Sequence, residues 1–149
     1  MIEEKDKKIL ELLMQDAKLT TKQMSKKTLM PITTIHNRIK KMEKEGIIKG
    51  YYVKVDQKKL GNEIAAFILV GVTYVMPDGS KISQMDVAKK IKSFREVEEA
   101  HVVTGGTDII VKVRTQNIEK LNDLVINKLR NISGVGGTQT LIVLTTPEI

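Results

Sequence analysis

Between residues 65 and 144 the spacing of apolar residues switches repeatedly between a strand period of two and a helix period near 3.6, and the order of the switches leaves few folds open. Residues 65–74 form a nearly continuous apolar run through Phe67, Ile68, Leu69, Val70 and Val72, the pattern of a strand buried on at least one face. Pro77-Asp78-Gly79-Ser80 supplies a turn, after which Val87, Ala88, Ile91 and Phe94 recur at helical spacing. Strands are predicted over 97–104 and 108–115, joined through Gly105-Gly106. Leu121, Leu124, Val125 and Leu129 mark a second helix over 118–129, and 138–144 alternates again as a strand. The order β-α-β-β-α-β is that of a ferredoxin-like split unit, an antiparallel four-stranded sheet with both helices on one face. Its other face needs cover, and a second copy of the chain is the expected cover, so at least a homodimer is predicted through this half.

The first third is built differently. Asp6 is read as the cap of a helix whose buried stripe is Ile9, Leu10, Leu13 and Ala17. Thr20 and Gln23 have capping-box spacing before a short second helix that runs to Thr28. Leu29-Met30-Pro31 breaks the pattern, because proline fits a helix only in its first turn, and a third helix starts near Pro31. Ile32, Ile35, Ile39 and Met42 face inward. Thr33, Thr34, Asn37, Lys40, Lys41 and Lys44 fall on the opposite side, with His36 and Arg38 on the flanks. Gly46 is expected to end this helix in a left-handed cap, and 47–55 reads as a strand leaving the module.

Charge separates the two parts. Residues 1–60 hold 15 Lys and Arg against 8 Asp and Glu, whereas 61–149 hold 10 against 10, so the whole excess of +7 lies in the first part. A basic module joined to a neutral one points to a polyanion partner for the former. A short helix, a turn and a second helix with a polar, basic outer face is the helix-turn-helix arrangement, whose second helix lies in the major groove of double-stranded DNA. Asn37 has the donor and acceptor to read adenine, Thr33 and Thr34 can touch bases or thymine methyls, and the lysines can neutralise phosphates. Arg38 is assigned to a phosphate, although its flank position also allows an ion pair inside the head. A solvated lysine-rich helix is the competing reading.

The fold class expected is therefore α+β: a helix-turn-helix (winged-helix-like) domain over 1–50, a linking strand or hinge over 51–62, and a ferredoxin-like βαββαβ domain over 63–149. Other classes find little support. Without cysteine there are no disulfides, thiolate zinc sites or cysteine nucleophiles, which suits a reducing cytoplasm. The acidic and basic N-terminus does not resemble a signal peptide, and no apolar run has the length of a membrane span, so a cytoplasmic protein without a membrane partner is expected. Three Tyr and two Phe are too few for a base-stacking platform. His36 and His101 are far apart, and no nucleophile elbow, phosphate loop or paired-carboxylate motif is present, so no enzyme, cofactor or metal is expected. Gly134-Val135-Gly136-Gly137 lacks the strand and helix that would make it a dinucleotide site.

Over nearly its whole length the chain resembles the Lrp/AsnC (leucine-responsive, feast/famine) transcription regulators. The resemblance rests on Asp6 with Ile9-Leu10, on the run from Asn37 through Gly46 to Tyr51, on Thr104-Gly105-Gly106-Thr107-Asp108, and on Gly134-Val135 with Thr138, Thr140, Val143 and Leu144. The family usually has Gly-Leu-Ser where this chain has Leu29-Met30-Pro31, which requires another backbone conformation or some strain at Leu29 and removes a side-chain cap at Pro31. The loop 76–83 is longer than usual. The resemblance implies a tail that forms dimers, which can stack into octamers, and a small-molecule effector, an amino acid or related metabolite, bound between subunits at Gly105, Gly106, Thr107 and Asp108 with Thr138 and Thr140 as a possible second wall. Glycines let a carboxylate approach backbone amides, and Asp108 can hold an ammonium. The same Gly105-Gly106 pair also reads as a plain hairpin turn. An architectural protein that coats DNA without an effector is the alternative function.

Overall fold

In the computed structural model, which describes residues 2–147, the chain divides into two units, with the boundary between Val55 and Asp56.

The head consists of α1 (Glu4–Gln15), α2 (Thr21–Thr28) and α3 (Ile32–Lys44). Asp6 is not the cap of α1 but lies one turn inside it, because Glu3 takes the cap position and donates its amide to Asp6 Oδ2 at 2.9 Å. The box at α2 forms as expected: Gln23 donates its amide to Thr20 Oγ1 at 3.2 Å and accepts the Thr20 amide at 2.8 Å. Ile9, Met24, Ile35 and Met42 are fully buried at the centre. Ile32, expected to face inward, is 46% exposed, since it is the first residue of α3 and the buried cluster begins with Ile35 one turn on.

The α2–α3 turn answers the question raised by Leu29. It keeps the left-handed conformation, φ 59° and ψ 18°, with its side chain 91% exposed, so a leucine bears a geometry that favours glycine. Ser25 Oγ donates to the Met30 carbonyl at 2.6 Å and the Met30 amide donates to Thr28 Oγ1 at 3.3 Å, which fixes the turn from both sides. The Pro31 start of α3 has no side-chain cap.

Gly46 has φ +70° and ends the head's last helix as expected. The predicted strand over 47–55 does not form. The Ile47 and Ile48 amides both turn back to the Met42 carbonyl, at 2.9 and 3.1 Å, so the start of this stretch closes the helix end and 49–55 ladders with no second strand among the described residues. Alternating side chains supply a face but not a partner, and a strand needs both.

The second unit contains β1 (Ile64–Val72), α4 (Gln84–Lys92), β2 (Val97–Val102), β3 (Ile109–Thr115), α5 (Ile118–Asp123) and β4 (Val135–Ile142). Helix α5 continues as a π-helical turn over Leu124–Leu129, closed by the Arg130 amide on the Val125 carbonyl at 3.1 Å. The strands are antiparallel in the order β2-β3-β1-β4, which is the ferredoxin-like arrangement. Ala66, Ile68, Val70 and Val72 alternate into the core with Ile109, Val111 and Val113, where they meet Ile91, Leu124 and Leu129 from the helices. Each such Val, Ile or Leu contributes roughly 1.5–3 kcal/mol by leaving water. On the other face Phe67 and Leu141 pair directly, 39% and 45% exposed. The register slips between Gly71 and Val72, and a Cβ on Gly136 at this bulge would lie 2.6 Å from Thr73 Oγ1. Residues 74–82 form a small hairpin, with Val75 bridged to Lys81 and the Ile82 amide on the Tyr74 carbonyl at 2.9 Å.

Candidate nucleic-acid interface and effector site

Helix α3 presents a polar stripe because its apolar residues are consumed by the head's core. Thr33, Asn37, Lys40 and Lys44 follow one another at three- and four-residue steps and are all exposed. His36 and Lys41 flank them, also exposed, whereas Thr34 is half-buried. Lys41 Nζ lies 3.9 Å from Glu45 Oε1, a pair too open to hold the lysine in place. Glu43 accepts the Tyr51 hydroxyl at 3.0 Å.

Arg38 stands apart from this stripe. Its guanidinium turns back to α1, where it donates to Asp6 Oδ1 at 2.9 Å and to Glu3 Oε2 at 2.7 Å, leaving the side chain only 20% exposed. Of the two readings left open by the sequence, the ion pair within the head is the geometry seen, so Arg38 fixes the placement of α3 on α1. The Glu3 amide and then Arg38 hold the Asp6 carboxyl below the usual carboxylate range. Sequence reasoning passed over Lys22, Lys26 and Lys27, which are exposed on α2, the helix that crosses the backbone in helix-turn-helix docking. Their signal was simple: three lysines on the non-buried side of a helix whose one buried residue is Met24.

In the second unit the Gly105 to Asp108 segment closes a hairpin, with the Val103 amide on the Asp108 carbonyl at 2.9 Å. Gly105 has φ +120°, a geometry that requires glycine, and a Cβ at Gly105 or Gly106 would meet nothing within 4 Å. Among the described residues the amides of 105, 106 and 107 donate to no protein acceptor, so three successive donors are available to an anion.

Asp108 is already engaged. Its Oδ2 accepts the Val72 amide at 2.7 Å, while Oδ1 accepts the Tyr74 hydroxyl and the Gln84 side-chain amide, the latter at 2.9 Å. Tyr74 first, then the Val72 amide, hold this carboxyl below its usual range. Tyr74 and Gln84 are neighbours of the site that no sequence spacing announces, being 34 and 24 residues from Asp108. Thr138 and Thr140 lie elsewhere, on the helix-covered side of the edge strand β4, opposite Val70 and Ile68. Thr138 Oγ1 accepts Arg130 Nε at 3.1 Å, and Thr140 lines a groove of about 270 Å³ with Val125, Ile126 and Ile142. Thr138 is two strand spacings, roughly 10 Å, from β3.

Among the described residues no cluster of side chains could hold a metal ion, and no helix is long and apolar enough to cross a membrane.

Comparison with known proteins matches residues 2–49 to a winged helix-turn-helix DNA-binding model and residues 66–148 to the Lrp/AsnC ligand-binding domain. The HTH-type transcriptional regulator FL11 of Pyrococcus furiosus is 39% identical, over 97% of this chain and 90% of its own length. The structure of AsnC from Escherichia coli superposes with a TM-score of 0.84 at 34% identity, covering 100% of this chain and 96% of its own. A transcriptional regulator of Neisseria meningitidis in complex with L-Met shares the fold, with a TM-score of 0.89 at 22% identity over 100% of this chain and 94% of the other.

Proposed function

The chain belongs to the Lrp/AsnC family of transcription regulators, and on that footing we propose that it reads duplex DNA as a dimer and that an amino acid held in its C-terminal domain changes that reading. The observation that carries the DNA half is the exposed stripe Thr33, Asn37, Lys40 and Lys44, which no acidic residue interrupts. Thr33 and Asn37 lie toward the N-terminal half of the helix, the end that meets base edges in this class of motif, and the lysines lie where groove walls place phosphates. Two heads related by a two-fold axis reach major grooves roughly 34 Å apart, so the preferred site is a palindrome.

The exposed Phe67 and Leu141 on the open sheet face support pairing with a second copy. Three free amides at 105–107 beside a carboxylate support an α-amino acid ligand, its carboxylate on the amides and its ammonium on Asp108. The neighbour solved with L-Met makes methionine the first ligand to try. An ammonium must share or replace the Gln84 and Tyr74 donors on Oδ1, which couples the 74–84 segment to occupancy.

The test is selection of random duplex DNA at controlled salt, followed by titration of the selected site with and without L-methionine and the other common amino acids. An enriched palindrome whose affinity moves with an amino acid, and does so less in Asp108→Asn, is the expected result. Retention without enrichment would favour the coating role that the lysine-rich head could also serve. Absence of binding at low salt would overturn the DNA reading.

A further inference from the structure

The opposite end of the sheet from the Gly105 hairpin holds a cleft of about 380 Å³, framed by the turn before β1, the α4–β2 connection, the end of β3 and the start of α5. We propose that this cleft is a second binding site, for a small dianion such as a phosphate monoester or a dicarboxylate.

Its lining is donor-rich. Arg95, Arg114 and Lys120 converge on it, against two carboxylates, Glu96 and Glu98. Glu96 is paired by a lysine outside the cleft, and Glu98 by the cleft's own Arg114 together with Lys112. Lys128 Nζ lies 2.6 Å from Glu96 Oε1, while Glu98 bridges Arg114 Nε at 3.1 Å and Lys112 Nζ at 3.4 Å. Arg95 and Lys120 pair with no carboxylate among the described residues, and Arg114 uses only Nε, which leaves its terminal nitrogens to the cleft. The amide wall is oriented: Asn62 Nδ2 donates to Gln57 Oε1 at 2.9 Å, so Gln57 keeps its own amide donor for a ligand.

These features select the ligand class. Two uncompensated cations beside a guanidinium edge favour two anionic groups, or one doubly charged one. Lys128, Arg114 and Lys112 already neutralise the two carboxylates, which disfavours the α-amino acids proposed for the Gly105 site. No large apolar side chain lines the cleft, so an alkyl tail has nowhere to pack. The volume lies within the usual range for small-molecule sites.

The experiment uses the intact, isotope-labelled protein titrated separately with inorganic phosphate and with succinate at constant ionic strength, with chloride and acetate as controls. Saturable shifts confined to 57–62, 95–98 and 114–120 for phosphate, succinate or both are expected, and the arm that saturates first identifies the source. Arg95→Gln with Lys120→Gln, both exposed and outside the core, should weaken that binding by roughly tenfold while leaving the circular dichroism unchanged. Non-saturating shifts, equal shifts with chloride, or full affinity in the double variant would overturn the proposal. Displacement of phosphate from these residues by duplex DNA would also overturn it, making the cleft a backbone contact instead. Because L-methionine binding is read at 105–108 and this binding at 57–62, 95–98 and 114–120, either site can fail without the other.

Discussion

Replacing Leu29 by glycine should stabilise the head. The left-handed backbone costs a non-glycine residue roughly 1–2 kcal/mol, whereas glycine adds about 0.4–1 kcal/mol of conformational entropy to the unfolded chain. The side chain is 91% exposed, so its removal forfeits almost no burial. The difference is a gain of about 0.8 kcal/mol, near fourfold in the opening equilibrium. For a unit of this size it corresponds to a rise of roughly 3–6 °C in the head's Tm. Native-state hydrogen exchange of the slowest α2 and α3 amides measures it directly, without requiring the two units to unfold together. Leu29→Asn, which tolerates the left-handed region, should be neutral or mildly stabilising, and β-branched Leu29→Val should destabilise. Faster exchange in the glycine variant would refute the reasoning, since the strain would then be absent or the leucine would hold a contact its exposure denies.

Three further outcomes follow from other places in the chain. Gly134 has φ +95°, and a Cβ there would lie 2.4 Å from Ile82 Cγ2, so Gly134→Ala should cost about 3 kcal/mol in equilibrium denaturation of the second unit; a loss under 1 kcal/mol, roughly, would mean that the hairpin yields freely. Asp6 has a depressed pKa in the folded head, so its contribution to stability is present above the ordinary carboxylate value near 4 and is lost as the pH falls through the lower folded value. Asp6→Asn should therefore lower stability at neutral pH and flatten the acid limb of a pH series, and an unchanged acid limb would exclude this role. Asn37→Ala should cost roughly 1–3 kcal/mol on the selected site and relax its specificity, while Lys40→Ala should weaken every duplex alike and reduce the salt slope by about 1; identical behaviour of the two variants would remove Asn37 from base reading.

Legibility in the sequence followed the range of the interaction responsible. Elements held by local spacing were readable: the Thr20–Gln23 box, the Gly46 cap and the apolar run of β1 are each written within a few residues. The strand expected at 47–55 failed because alternation says nothing about a partner, and its first two amides, Ile47 and Ile48, fold onto the end of α3 instead. Asp6 was misplaced by one turn because Glu3, a weaker cap by residue type, takes the position while Asp6 reaches both the Glu3 amide and Arg38, 32 residues away. The stripe on α3 was legible for the same reason as the core, since both follow the helix period. The surroundings of Asp108 were not, because Tyr74 and Gln84 arrive there through the hairpin over 74–82, whose path no local pattern encodes.

The π turn over Leu124–Leu129 has a bearing on how this lineage tolerates changes in length. Closing a hydrogen bond over five residues instead of four stores one surplus residue inside a helix without a break in the chain. Deleting a single residue at Ile126 or Asn127, both exposed, should let the segment close as a regular α-helix with Leu124 and Leu129 still able to reach the core. The helix is thus a place where an insertion could be fixed or lost in one genetic step, and alignments that force every relative to the same length across it would misplace the start of β4.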